Sequence, residues 1–192
     1  MNPIPDRIEG QLIGALDNLS LCERVCEFLV ECQGYSIPTE VRMVGAHRTV
    51  VLPGENCGFV TNPIIHGAIL DIRRLVPFLG LSYSQKQDCL ISIKEPTWAD
   101  DYWIGDVGLN PVTADELDAV AATICGTEAI RVLRGPLIYS NKQMAHFSKV
   151  EGHPQFDDLR NSCRLLSSAV MTFVYDALSL PHPRMHFRNE ES

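Results

Sequence analysis

Residues 156–180, FDDLRNSCRLLSSAVMTFVYDALSL, carry the strongest helical pattern in the chain. The apolar residues recur alternately every three and every four positions, the 3.5-residue repeat of a helix that packs along a partner helix. They are Phe156, Leu159, Cys163, Leu166, Val170, Phe173, Ala177 and Leu180. Pro181 and Pro183 then stop the helix, because proline lacks the backbone donor that a helix needs. The stretch predicts a long final helix with one continuous apolar seam, in an antiparallel bundle.

Two earlier segments share this helical spacing. The first begins at Asp6 and predicts one long helix or two short ones, ending at Gly34. The second begins at Asn62 and Pro63, because an N-cap residue followed by proline is typical of a helix start. Its pattern ends at Gly80, a residue type common just after a helix.

A further helix begins with the capping box at residues 113–116, Thr-Ala-Asp-Glu. Its apolar pattern continues to residue 150, with a bend at Gly126 and a kink or interruption at Gly135 and Pro136. The prediction is therefore an all-α protein, an antiparallel helical bundle with kinked helices. Residues 1–192 form a single domain in this prediction, and residues 181–192 are a tail.

The segments between the helices are harder to interpret. Residues 35–61 are assigned as a connector, with either a helix over residues 39–47 or a short strand over 49–52. Residues 84–94 predict a short helix or an extended segment. Residues 95–112 are loop-like but contain Trp98, Tyr102 and Trp103, which must be buried somewhere. We therefore expect an ordered aromatic loop that covers the bundle.

Composition narrows the class of protein. The chain has 192 residues, of which 45% are hydrophobic and 21% charged, enough for a substantial core and incompatible with global disorder. Its seven cysteines contain no CxxC pair and no zinc spacing, so we expect reduced, mostly buried thiols and no metal or cofactor. No apolar signal core and no run of ~20 apolar residues is present, which favours a soluble, cytoplasmic protein without membrane contact.

The charge is acidic overall but unevenly distributed. The formal net charge is −8, which disfavours non-specific binding to nucleic acid. Residues 131–164 nevertheless carry six Lys or Arg and three acids, whereas residues 85–120 carry two Lys and eight acids. The basic segment indicates either an RNA-contacting surface or a face that pairs with the acidic segment, within the bundle or across a dimer.

Residues 137–150, LIYSNKQMAHFSKV, form part of the basic segment. Lys142 and His146 are four residues apart, so on a helix they share one face. A neighbouring cation disfavours the protonated imidazole and keeps His146 neutral near neutral pH. The pair can therefore act as a general base with a phosphate-binding neighbour, or it can be a solvated or partner-facing side with no chemistry.

The phrases SNKQMAHFS at residues 140–148 and HPQFDDL at 153–159 resemble the HEPN superfamily of all-helical proteins. The similarity is to the branch of AbiU2-type abortive-infection proteins, which carry an R-(N/D)-K-x-x-A-H-like phrase late in the chain. Here Asn141, Lys142, Ala145 and His146 match the phrase, but Ser140 stands where the family has arginine. The phrase RRLVPFL at residues 73–79 adds weakly to the resemblance.

The resemblance implies a defence or toxin–antitoxin protein that works as a homodimer on RNA, with a cognate antitoxin protein as a partner. Many such proteins are metal-independent ribonucleases. In the catalytic form His146 would take the proton of a ribose 2′-hydroxyl, Lys142 would offset phosphate charge and Asn141 would donate a hydrogen bond. Because the arginine position is lost, whether the chain is an enzyme is left open.

Other arginines could compensate for that loss. Arg134 lies upstream on the same predicted helix, and Arg73 or Arg74 could approach the His146 face in the fold; all three are candidate substrate-binding residues. The simpler interpretation of Arg73 and Arg74 is surface charge, with Asp71 as a helical partner of Arg74. The alternative function is a non-catalytic helical binding module of unknown ligand. A small-molecule enzyme that uses the acidic loop is a third class.

Overall fold

The structure is a computed structural model that describes residues 4–32, 39–44, 49–54, 58–95, 101–141 and 154–184. Most of this part of the chain is helical, which confirms the prediction of a mainly helical protein. The helices are α1 (Asp6–Glu31), α2 (Gly58–Phe78), α3 (Ala114–Cys125), α4 (Ala129–Tyr139) and α5 (Phe156–Val170). Two antiparallel hairpins pair β1 (Thr39–Val44) with β2 (Thr49–Gly54) and β3 (Leu81–Ser84) with β4 (Cys89–Ser92).

The central element is α5, which packs against each of the other four helices. Leu159, Cys163, Leu166 and Val170 of the predicted seam are all fully buried. The long helix α1 lies against α5 with a matching apolar face, formed by Leu12, Leu16, Leu19, Cys22, Cys26 and Leu29. The first part of the predicted seam is therefore confirmed.

In the second part of the predicted seam, Phe173 and Leu180 are half-buried against the core as predicted, but Ala177 is exposed. The helix changes type after Val170. Met171–Asp176 form a π-helical turn, which is wider than an α-helical turn. Met171, Val174 and Tyr175 within this turn are buried, and so is Leu178 after it. Relative to a regular helix, the wider turn displaces the buried face by one residue.

The predicted start of α2 is also wrong. The helix begins at Gly58, so Asn62 and Pro63 lie inside it. Pro63 lies near the start of the helix and costs it only one backbone hydrogen bond. From the sequence alone, a proline at this place looks the same as one at the first helical position. The helix α1 is continuous and ends at Glu31, while Gly34 lies outside the described residues.

The end of α2 is held by glycine, as predicted. Gly80 has φ +88°, and a Cβ atom there would lie 2.5 Å from Cβ of Pro111. Its carbonyl accepts a hydrogen bond from the amide of Ile93, which ties the β3–β4 hairpin to the end of the helix. This hairpin occupies the segment for which a short helix or extended chain is predicted, and it carries Asp88 toward α4.

Three predictions concern the remaining connections. The capping box of α3 is confirmed, with the amide of Glu116 donating to the Thr113 hydroxyl at 3.2 Å. The alternative helix over residues 39–47 is wrong, because residues 39–44 pair as a strand with 49–54. In the aromatic loop, Ile104 is buried and Tyr102 lies under the guanidinium of Arg7 at 5.4 Å, whereas Trp98 lies outside the described residues.

The described cysteines are free thiols. Cys22, Cys26 and Cys163 are buried between α1 and α5, and three others are half-buried. Within the described ranges, no helix is both long enough and apolar enough to cross a membrane.

Candidate functional site

The C-terminal end of α4 is the only part of the predicted site phrase that the structure describes. Residues 140 and 141 continue from α4 in π-helical conformation, and Asn141 is half-buried. Lys142 and His146 lie outside the described residues, so their predicted roles stay predictions. The helix runs through Gly135 and Pro136 without ending, and the break between α3 and α4 falls at Gly126, which has φ +67°.

Ser140, which stands where the resembling family has arginine, faces the interior. Its side chain is fully buried, and its hydroxyl donates to the Leu137 carbonyl at 2.8 Å. A hydroxyl satisfied in this way cannot replace the missing cation. The backbone carbonyl of Ser140, however, accepts a hydrogen bond from Nη1 of Arg73 at 3.4 Å.

Arg73 therefore reaches from α2 to the end of α4. It is exposed, and within the described ranges its guanidinium forms no ion pair with an acid. Its neighbour Arg74 points elsewhere and lies 3.7 Å from Asp71, as the helical spacing predicts. Adjacent helical residues diverge by about 100°, which explains why only one of the two arginines reaches the end of α4.

Arg134 occupies a different part of α4 and its charge is offset. Its Nε lies 3.0 Å from the Asp88 carboxylate, which also accepts a hydrogen bond from the Tyr83 hydroxyl at 2.7 Å. Arg134 and Asn141 are seven residues apart in the chain, which corresponds to about 10 Å along a helix axis. The predicted residues are thus not all brought to one point.

A polar cleft of about 680 Å³ lies beside the first half of α4. The lining combines arginines and acids with a few apolar side chains: Asp88, Thr127, Glu128, Ile130, Arg131, Val132, Arg134, Asp158 and Asn161. Burial, followed by the nearby charge of Asp157, raises the pKa of Asp158 above its ordinary range. Of these residues, only Arg134 was predicted from the sequence as part of a site. The sequence feature that could have indicated the cleft is the pair Arg131 and Arg134, one helical turn apart.

Sequence reasoning also missed His66 and Tyr139. Nε2 of His66 on α2 lies 3.3 Å from the Tyr139 hydroxyl, and the two rings are 6.1 Å apart. Burial raises the pKa of Tyr139, so its hydroxyl keeps its proton at neutral pH. The available signal was the seven-residue interval from His66 to Arg73, which places both on one face of α2.

Within the described ranges, no group of three or more His, Cys, Asp or Glu side chains is arranged to hold a metal ion. The described groups at the end of α4 are the guanidinium of Arg73, the imidazole of His66 and the phenol of Tyr139, with Asn141 two residues further along the chain. Comparison with known proteins finds no match to a family model, to a curated protein or to a solved structure. The chemistry of these residues and the sequence resemblance are therefore the basis for a functional proposal.

Proposed function

We propose that the protein is a HEPN-like, RNA-associated protein of the defence or toxin–antitoxin kind, which contacts RNA phosphates at the end of α4. The observation that carries the proposal is Arg73. Its exposed guanidinium, without an acid partner among the described residues, lies at the carbonyl of Ser140, the position where the family phrase has arginine. A guanidinium suits a phosphate because its planar fork can donate two parallel hydrogen bonds.

The other residues of the proposal come from the sequence. Lys142 adds positive charge and Asn141 donates a hydrogen bond to the phosphate. In the cleaving form of this protein, His146 accepts the 2′-hydroxyl proton of a ribose. We further propose an antiparallel bundle kinked at Gly135 and Pro136, a homodimer, a cytoplasmic location and a cognate antitoxin protein as partner.

The test compares two neighbouring arginines. Binding of short single-stranded and structured RNAs is measured without metal for the parent, Arg73→Gln and Arg74→Gln. Loss of a charge-assisted hydrogen bond costs about 1.5–3 kcal/mol, so Arg73→Gln should weaken binding about tenfold or more. Arg74→Gln is the matched control and should bind like the parent, because Arg74 is paired with Asp71 on another side of α2.

Equal binding by both arginine variants, or no binding by the parent, would contradict the proposal. Cleavage is followed in the same reactions with His146→Ala. RNA cleavage by the parent that survives this substitution would eliminate His146 as the base, and binding without any cleavage would identify a non-catalytic RNA-binding protein.

The cleft beside α4 favours a second function, a binding module for a small polar ligand. Its volume of about 680 Å³ lies in the range of small-molecule sites, and its lining offers both guanidinium and carboxylate groups. Asp158 forms no ion pair within the described ranges, so it can receive an ammonium group of a ligand. RNA binding that is absent in the parent, together with a ligand-induced rise in melting temperature lost in Asp158→Asn, would favour this function.

A further inference from the structure

The charges that line the cleft beside α4 do not cancel. Its lining contains three acids and two arginines, and each arginine lies beside one of the acids. Nε of Arg134 is 3.0 Å from Asp88, and Nε of Arg131 is 3.8 Å from Glu128. The third acid is Asp158, which has no cation partner among the described residues. The lining therefore carries one negative charge that no arginine offsets.

The half-buried carboxylate of Asp158 is the source of this charge. Burial, followed by the charge of Asp157, raises the pKa of Asp158 above its ordinary range, so its charged form is disfavoured in the free protein. A cation bound in the cleft would stabilise that form. Asp157 differs from its neighbour, because it is exposed, lies 3.1 Å from Arg160 and is not part of the lining.

A hydrogen bond between α4 and α5 fixes the wall of the cleft that carries Asp158. The hydroxyl of the buried Ser162 lies 2.7 Å from the Val132 carbonyl on α4 and 2.7 Å from the Asp158 carbonyl on α5. Asn161 also lines the cleft, three residues after Asp158, so the two side chains share one face of α5. Ile130 and Val132 supply the apolar part of the lining. A carboxylate and an amide one turn apart, beside apolar side chains, suit an ammonium group on a short aliphatic chain.

We propose that the cleft beside α4 binds a small aliphatic primary amine, with its ammonium group held by the Asp158 carboxylate and the side-chain oxygen of Asn161. An ammonium group has three donor protons and can therefore bond both oxygens at once. This inference rests on the second proposed function, the binding of a small polar ligand, and names the class of that ligand. It does not depend on Arg73 or on RNA.

The test titrates the full chain with butylamine, butanol and butyrate. The three compounds have similar size but carry a positive charge, no charge and a negative charge at neutral pH. Butylamine should bind about tenfold or more tightly than either of the others, because a hydrogen bond to a charged group is stronger than one between neutral groups. Binding is followed by NMR shifts of the backbone amides, which also report whether the residues that respond are those around the cleft.

Two neighbouring acids provide matched variants. Asp158→Asn removes the charge and should weaken butylamine binding about tenfold or more, whereas Asp157→Asn should bind like the parent because Asp157 is paired with Arg160. Asn161→Ala keeps the carboxylate and should weaken binding about fivefold, as for loss of one hydrogen bond. If Asp158→Asn does not fold, Asn161→Ala decides the question.

The inference and the proposed functions fail in distinguishable ways. If butyrate binds in the cleft and butylamine does not, the cleft is an anion site formed by its arginines, and the inference alone is overturned. If Asp157→Asn weakens butylamine binding as much as Asp158→Asn, the attraction is general to the acidic chain and the inference is again overturned. If none of the three compounds shifts the amides around the cleft, the inference and the second function both fail, whereas RNA binding that depends on Arg73 would still stand.

Discussion

At the scale of single residues, the environment of Asp71 shows how one face of α2 differs from the next. Its carboxylate is buried between α1 and α2, where it accepts a hydrogen bond from Nδ2 of Asn18 at 2.8 Å. Burial raises its pKa above the ordinary range, although the Asn18 hydrogen bond and the Arg74 charge act in the opposite direction. The charged form is therefore disfavoured in the folded protein.

This raised pKa predicts that Asp71→Asn stabilises the protein by an amount that depends on pH. A raised folded-state pKa stabilises the fold below the ordinary Asp value near 3.9, and that contribution is lost as pH rises through the folded value. The variant keeps the Asn18 bond but has no charge to bury. Its free energy of unfolding, relative to the parent, should therefore increase as pH rises from about 4 toward 7.

Urea unfolding of both proteins across this pH range is the measurement. Asp101→Asn, at an exposed position, is the control and should show a flat difference from the parent. A difference for Asp71→Asn that falls with rising pH would mean that the carboxylate is stabilised in its charged form, contrary to the direction given by burial.

The two neighbouring arginines mark what residue spacing can and cannot predict. The pairing of Arg74 with Asp71 follows from an interval of three residues on one helix, and the structure confirms it. The contact of Arg73 with Ser140 joins residues 67 positions apart, so it depends on how two helices pack. Sequence reasoning could name Arg73 as a candidate but could not distinguish it from its neighbour.

At the scale of elements, local structure follows from the sequence where the residues that form it are close in the chain and bond each other. The capping box of α3 is such a signal, since Thr113 and Glu116 bond each other. The β3–β4 hairpin has no such local signal, because its turn contains no glycine. The residue of this turn with left-handed backbone conformation is Asp88, with φ 52°. Nothing in the residue types of the π-helical turn after α5 indicates a wider turn. The sequence therefore predicts that the 3.5-residue seam continues unchanged through it.

That turn predicts an unequal response to two single-residue deletions. Removing Thr172, an exposed residue of the π-helical turn, allows a regular helix and brings Val174 and Leu178 to the positions of the regular seam. Removing Ser167 instead rotates every later residue by about 100° relative to the core. Because each large apolar side chain lost from a core costs about 2–5 kcal/mol, the second deletion should unfold the protein.

Circular dichroism and urea unfolding of both deletion variants test this expectation. The Thr172 deletion should keep a cooperative transition with a free energy of unfolding close to that of the parent. If it unfolds the protein as completely as the Ser167 deletion, the wider turn is required by the packing around Tyr175 and is not a simple one-residue insertion.

At the scale of the whole molecule, arginines of the basic segment lie beside acidic side chains. Arg134 pairs with Asp88 of the acidic segment, and Arg164 lies 3.4 Å from Glu23 on α1. The first contact supports the interpretation in which the basic and acidic segments pair within the chain, whereas Glu23 lies outside the acidic segment. The described arginines of the basic segment, Arg131, Arg134, Arg160 and Arg164, each lie beside an acid, whereas Arg73 on α2 has no acid partner among the described residues.

This distribution of charge predicts a shallow salt dependence of RNA binding. For single strands, the logarithm of the binding constant falls with the logarithm of salt by about 0.7 for each phosphate neutralised. With Arg73 and one further cation in contact, the slope should be about −1.4, and Arg73→Gln should reduce its magnitude by about 0.7. Arg134→Gln should leave the slope unchanged, because Asp88 already offsets that guanidinium. Binding titrations at a series of salt concentrations measure all three slopes, and a steep slope shared by all three proteins would mean that RNA is held by a wide basic surface elsewhere, independent of Arg73.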